Sequence, residues 1–313
     1  MDPLTHAVIG AGTYALSGGS VSISNPLFAG CIAGALVPDL DIVARLWNDY
    51  HYLRHHRGSS HSLAGMLPMS AATAMILSKL LPGGSFYGVL LWTYIGCLSH
   101  AFFDFFNSYG AQLFWPVSRK KYSLSVLKIF DFFIIIFFAA MLFYRNSSWA
   151  YKGIIILFCV FYFGLLVLMR IQAKKMVSRF FKGRVDKESV KILPSSKGFF
   201  DWDFIIISNR HTTVGKVHIL RGRIEIVERL RTTRRDYGDK LMNNRVGKFF
   251  REFTPFFHVE IKKQSKQVEV IFTDLRYRAK NRFKHHATAV YNAKGVLEEC
   301  IFHPFSRDNN VKF

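Results

Sequence analysis

The sequence predicts an α-helical integral membrane bundle of four to six spans, followed by a small, mostly antiparallel β domain on the cytoplasmic side. Three observations carry this. Half of the 313 residues are hydrophobic. Every long apolar run lies within residues 1–170. Residues 171–313 hold 31 of the 42 Lys and Arg and 15 of the 21 acids, a net +16 against +5 for the first part. The expected organisation is a membrane domain over 1–170, a basic connector over 171–198 and a β-rich domain over 199–313. The four Cys show no close pairing, which suits small buried hydrophobes better than a disulfide framework or a thiolate site. The opening MDPLTHAVIGAG has no basic leader of the kind a removable signal peptide carries.

Six runs could cross a bilayer: 4–16, 26–37, 63–81, 86–106, 129–144 and 153–169. A spanning helix needs about 20 apolar residues, with roughly 17 as the lower limit. The third, fourth and sixth runs meet this and the fifth is marginal. The first two are short and rich in Gly and Ala, the composition of helices packed closely on their neighbours. If all six cross, His6, Asp39, Asp41, the loop over 51–61, His100 and Asp104 gather on one face. Asp131 then lies a short way into the fifth helix from the same side. Segments on that face carry Arg45, Arg54, Arg57, Arg119, Lys120, Lys121, Lys128 and Arg170, against Lys79, Arg145 and Lys152 on the other. Short cytoplasmic loops are enriched in Lys and Arg, so this face is expected to be cytoplasmic.

The chemistry concentrates in residues 38–61, PDLDIVARLWNDYHYLRHHRGSSH, where Asp39, Asp41, Asp49, His51, His55, His56 and His61 sit between apolar segments. The first 170 residues contain no Glu and only six Asp, so each acid there calls for a reason. Imidazole and carboxylate together ligate zinc, manganese or iron; the plain alternative is a polar loop that meets water. In SHAFFDFFNSYG, His100 and Asp104 are four apart on a predicted helix and project from one face about one turn apart. Ionisable groups inside an apolar run usually face the bundle interior and a partner. Arg54 and Arg57 could grip a phosphate bidentately or serve only as topogenic charge. Ser59 and Ser60 adjoin His61 without the strand-turn-helix setting of a serine nucleophile.

The opening DPLTHAVIG, the PDLD at 38–41, the HRGSSHS at 56–62 and the SHAFFDFFNSYG at 99–110 together resemble the motifs of the LexA-regulated, inner-membrane-associated metal-dependent hydrolase family of bacteria. The resemblance covers roughly the first 130 residues in that family's order and implies a compact membrane-embedded helical bundle. The order His, Asp, His, then HxxxD is similar, more distantly, to the zinc-dependent phospholipase C and single-strand nuclease superfamily. That similarity implies one metal held by Asp39 or Asp41, His61 or His56, His100 and Asp104, with the carboxylates bridging to a second ion near His6. The superfamily's further His/His/Glu group has no counterpart between Asp104 and Lys152. The expectation is therefore one or two divalent ions, zinc first and manganese second.

The expected reaction is attack of a metal-activated water on a membrane lipid or another phosphate-containing ester. Asp41 or Asp131 would take the proton or orient a ligand, and Arg57 would bind phosphate. The alternative, from another class, is a non-catalytic membrane regulator or scaffold with a structural metal site and a basic, partner-binding C-terminal domain.

Beyond residue 170 the pattern changes. Residues 170–191 read as a basic amphipathic connector along the membrane surface. FIIIS, VGKVHILRGRIEIVERL, FFHVEIKKQSKQVEVIF and ATAVYNAKGVLEECIF then alternate as strands, with hairpins at KQSKQ and NAKG, for a sheet of roughly six to eight strands. RLRTTRRDYGDK is the dense basic run, and no nucleic-acid recognition motif accompanies it. A positive domain resting on anionic lipid explains the charge without nucleic acid. His285 and His286 beside Lys284 are expected to be solvated, and His211, His218, His258 and His303 are scattered without ligand spacing.

Overall fold

The computed structural model describes residues 1–313 apart from 184–188, 197, 209–210, 232–243, 264–266, 277, 280–281 and 313. The chain forms two compact units, Met1–Val43 with His55–Leu168 and Ala44–Arg54 with Met169–Phe313.

The first unit is helical. It contains α1 (Pro3–Ala15), α2 (Pro26–Leu36), most of a 3-10 segment (Val37–Leu46), a 3-10 turn (Ser59–His61), α4 (Leu63–Leu80), α5 (Phe86–Phe106), α6 (Phe132–Phe143) and most of α7 (Trp149–Phe180). The short helix α3 (Asp49–His55) belongs almost wholly to the second unit. Side-chain caps fix the helix starts: Asp2, Asn25, Ser62, Ser85 and Asp131 accept from backbone N–H groups of the first turns of α1, α2, α4, α5 and α6. Pro3 and Pro26 occupy first-turn positions, where their missing N–H costs nothing.

Among the described residues, four helices are long and apolar enough to cross a membrane, Pro26–Leu46, Leu63–Leu80, Phe86–Phe106 and Trp149–Phe180. Two expectations shift. The second run reaches spanning length because the 3-10 segment continues α2 without a break. The fifth stops at 12 residues, capped by Asp131 and ended by a turn in which Ser147 N–H donates to the Tyr144 carbonyl. The start of the basic connector is helix, since no Gly or Pro interrupts α7 between Gly164 and Gly183. Residues 184–188 of the connector lie outside the described residues.

Small residues bring α2 and α5 together. A Cβ on Gly34 would collide with the Thr93 backbone, and one on Gly96 with the Cys31 carbonyl. Such close backbone approach is the packing mode of membrane helices, which gain no hydrophobic drive from lipid. It seats the second half of α5 directly against the end of α2. Around the bundle, Ile154, Leu157, Phe158, Val160, Phe161 and Leu168 of α7 are exposed, as a lipid-facing surface requires.

Among its described residues the second unit has two antiparallel sheets and a short ribbon where a single sheet was expected. The first sheet runs β1 (Val190–Pro194), β2 (Asp201–Ile207), β3 (His211–His218), β4 (Arg223–Arg231). The second has the order β11-β10-β9-β6-β5, from β5 (Phe257–Lys263), β6 (Gln267–Asp274), β9 (His286–Asn292), β10 (Leu297–His303) and β11 (Val311–Lys312). The ribbon pairs β7 (Arg278–Ala279) with β8 (Arg282–Phe283). The division follows from α8 (Arg245–Phe253), a helix that the alternation reading missed. Its Val246, Phe249, Phe250 and Phe253 recur at helical spacing and are buried against Val270, Phe272, Ala287, Ala289 and Phe302. Tyr50 and Leu53 of α3 complete this core.

Both expected hairpins pair, β5 with β6 and β9 with β10. In the second, Gly295 takes φ +76° and lets Asn292 N–H reach the Val296 carbonyl. The basic run RLRTTRRDYGDK lies outside the described residues from 232 onward. The expected solvation of His285 and His286 is corrected: both are buried, His285 stacked on Phe302 and His286 held by Thr273 and the Phe283 carbonyl. Lys284 misleads because it lies exposed in a bend just before β9, while the two residues after it turn inward.

Candidate metal centre

The site is assembled from four places in the first unit. The 3-10 segment presents Asp39 and Asp41, and the 55–62 loop presents His56, Arg57, Ser60 and His61. The last turns of α5 present His100 and Asp104, and α1 presents His6. His6, His61, His100 and Asp104 are fully buried. Leu40, Ile42 and Val43, which alternate with the two acids, are about half exposed.

Four ligand atoms converge. His61 Nε2 lies 3.1 Å from His100 Nε2 and 3.2 Å from Asp39 Oδ1. Asp104 Oδ2 lies 3.7 Å from His61 Nε2 and 3.6 Å from His100 Nε2, and His100 Nε2 lies 3.7 Å from Asp39 Oδ1. A tetrahedral zinc with bonds of about 2.0–2.1 Å sets its ligand atoms about 3.3–3.4 Å apart, and these distances straddle that value. Among the described residues, three overlapping His/Asp groups could hold an ion: His61, His100 and Asp104; His6, Asp39 and His100; and Asp39, Asp41 and His56.

The hydrogen-bond network leaves these atoms without protons to share. His100 Nδ1 donates to the Ala35 carbonyl at 2.7 Å, which leaves Nε2 as a bare lone pair. Ser60 Oγ donates to Asp41 Oδ2 at 3.3 Å, so its oxygen can accept from His61 Nδ1 at 3.0 Å and bare the His61 Nε2 as well. Burial, reinforced by His100, lowers the His61 imidazole to about 4 and so keeps it neutral. Asp104 Oδ2 is buried with no hydrogen-bond partner. Acceptors facing one another in a dry site repel unless a cation lies between them.

Other residues brace this centre. The Arg57 guanidinium, 4 % exposed, contacts Asp104 Oδ1 at 3.2 Å, donates to Asn107 Oδ1 at 2.6 Å and lies over the Tyr109 ring. Its Nε is buried without a partner, and its backbone holds φ +61°. Asn107 donates to Asp104 Oδ1 at 2.8 Å. Asp104 also receives the Met1 nitrogen, which lies 2.9 Å from His6 Nε2. The His6 ring stacks on His100 at 3.7 Å between centroids. His56 Nδ1 and the Arg57 N–H bind Asp41 at 2.9 and 3.2 Å.

Of the residues expected at the site, His6, Asp39, Asp41, His56, Arg57, His61, His100 and Asp104 come together. Asp131 does not join them. It caps α6 and takes the Tyr162 hydroxyl at 2.8 Å. His51 and His55 are exposed, Asp49 pairs with Arg45, and Arg54 lies over Tyr50. Sequence reasoning missed Asn107, although its position three residues after Asp104 in SHAFFDFFNSYG was a signal. The roles of the Ala35 carbonyl and of Tyr109 had none.

Comparison with known proteins adds the following. Residues 1–174 match the family described as YdjM inner membrane protein, and residues 237–312 match the YfhP C-terminal alpha/beta plait domain. The chain is 28% identical over 298 residues to an uncharacterized protein, YfhP, of Bacillus subtilis (strain 168), covering 90% of this chain and 89% of that one. No solved structure matches.

Proposed function

The chain belongs to the YdjM inner membrane protein family, and from that premise we propose that it is a membrane-bound, metal-dependent hydrolase of lipid or other phosphate-containing esters at the cytoplasmic membrane face. The observation that carries this reading is the convergence of Asp39, His61, His100 and Asp104 with their acceptor atoms bare. The donor set, two imidazoles and two carboxylates, suits zinc, with manganese the alternative. A divalent ion held there supplies an acidified water and polarises a phosphoryl or acyl oxygen.

The chain's own residues have distinct work. Asp41 lies beside the ligand loop, 3.7 Å from His61 Nδ1, where it can orient that imidazole or take a proton. Arg57 retains an unpaired Nε in a buried setting and a left-handed backbone, strain of the sort that collects at functional sites. A phosphate oxygen is the acceptor that a desolvated guanidinium fits best. The half-exposed Leu40, Ile42 and Val43 favour a substrate that arrives from the membrane. The resemblance to metal-dependent hydrolases supports the reaction class.

A second reading rests on one observation. Asp39, His61, His100 and Asp104 offer four candidate ligand atoms, the number that closes a structural zinc site. On that reading the protein is a non-catalytic regulator or scaffold. Elemental analysis of the detergent-purified protein, beside Asp39→Ala and His100→Ala, tests the centre. One or two ions per chain, lost in both variants together with turnover of phosphate esters, supports the hydrolase. Metal loss accompanied by collapse of the bundle favours the structural site, and protein that stays folded and binds no added metal removes both readings.

A further inference from the structure

We infer that the C-terminal unit holds the ligand loop in place through α3, and that Tyr50 and Leu53 are positioning residues for Asp41 and His56. The first unit ends one stretch at Val43, two residues after Asp41, and resumes at His55, one residue before His56. The intervening Ala44–Arg54 folds with the second unit. Tyr50 and Leu53, 3 % and 6 % exposed, are part of the core built on α8 and the second sheet. The Tyr50 ring lies 4.9 Å from Phe249 and 6.3 Å from Phe302. Arg45 lies over the Phe305 ring, and Asn309 Nδ2 donates to Asp49 Oδ2 at 3.5 Å. The segment is therefore fixed at its start and through its middle.

A helix of seven residues is too short to persist in water on its own. The order of α3 must come from the core into which it inserts. The two chain ends that leave this anchor carry residues that close on each other, since His56 Nδ1 and the Arg57 N–H both bind Asp41. Without the anchor, joining Asp41 to His56 would require closing a long free loop at an entropic cost. With it, most of that freedom is already removed. The C-terminal unit thus acts on the site through the chain itself. Whatever loosens the core around Tyr50 and Leu53 loosens the Asp41, His56 and Arg57 group.

The consequence for metal affinity rests on the metal reading above, so the experiment has one readout that needs no metal. In the full-length protein in detergent, amide exchange over residues 55–62 is measured for metal-free wild type, Tyr50→Ala, Tyr50→Phe and Val214→Ala. Zinc affinity is measured on the same samples by chelator competition. Val214 belongs to a different core cluster of the same unit, with Leu193 and Ile205, and controls for general destabilisation. Tyr50→Ala is expected to speed exchange over 55–62 and weaken zinc on the order of tenfold. Tyr50→Phe, which keeps the ring, is expected to match wild type, and Val214→Ala to change neither readout. Unchanged exchange over 55–62 in Tyr50→Ala, or an equal change in Val214→Ala, overturns the inference. If Tyr50→Ala does not fold, Leu53→Ala is read the same way. If wild type binds no zinc the metal reading falls, and the exchange result still decides the anchor.

Discussion

Both units bury imidazoles and a carboxylate, yet only one set has the form of a site. Among the described residues of the second unit, the buried carboxylate and imidazoles are each turned toward a partner of their own. Asp274 is held bidentately by Arg276 and accepts from Thr254. His286 is bound by Thr273 and the Phe283 carbonyl, and His258 by Thr212. In the first unit the partners of His61, His100 and Asp104 lie behind them, and the remaining atoms point at one another. Among the described residues, all groups that could hold a metal lie in that unit. Burial alone does not mark a site. Convergence of acceptors that no donor satisfies does.

The sharpest way to break this comparison is to remove the same atom type from each unit. Asp104→Ala is expected to eliminate bound metal, whereas Asp274→Ala should leave metal content unchanged. The latter strands Arg276 as an uncompensated buried charge and should destabilise the C-terminal unit by about 3–5 kcal/mol. Elemental analysis, with denaturant unfolding alongside, reads both effects. Metal retained in Asp104→Ala would erase the distinction between the two units.

A finer test concerns the groups that stand behind the ligands. Asp41→Asn removes the charge that His56, the Arg57 N–H and Ser60 share. It is expected to weaken metal binding by about 10–100-fold without abolishing it, the usual loss when a partner that orients a ligand is changed. Complete loss would make Asp41 a ligand itself, which its place in the Asp39, Asp41 and His56 group allows.

How much of this was legible in the sequence depends on which force sets each feature. The apolar runs and the β alternation could be read because solvent sorts residues by periodicity. HxxxD on α5 could be read because helical spacing alone puts His100 and Asp104 on one face. The choice of Asp39 over Asp41, and of His61 over His56, for the central group could not. It depends on how the 3-10 segment and the 55–62 loop meet, which is a tertiary matter. Asp131 was misread for a related reason: depth in the membrane says nothing about direction, and its side chain turns to Tyr162. The close seating of α2 on α5 was half legible, since the small residues were visible but not that Gly34 and Gly96 would place Ala35 under His100.

The smallest expected effect is one of pH, and it separates the two sets of histidines by their response to zinc. Burial pushes His285 and His286 down to about 4 from the ordinary 6.5. For His285, Arg276, Lys284 and His286 oppose protonation and Asp274 favours it; for His286, Arg307 and His303 oppose it and the Phe283 carbonyl favours it. The unfolded chain takes up these protons first as pH falls, so stability is full above about 6.5 and declines toward 4. At pH 5.5 each imidazole should cost about 1 kcal/mol. The urea midpoint for labelling of Cys300, which is buried in the core beside Phe302, reads this locally. His285→Gln should remove about half of the decline between pH 7 and 5.5, and added zinc should not restore it, because no ion is expected to bind in that unit. In the first unit a bound ion would compete with protons for the His61 nitrogen, so zinc there should protect against acid. Zinc protection of the Cys300 midpoint equal to that of the metal site would mean that the C-terminal histidines bind metal too, and the contrast between the two units would fail.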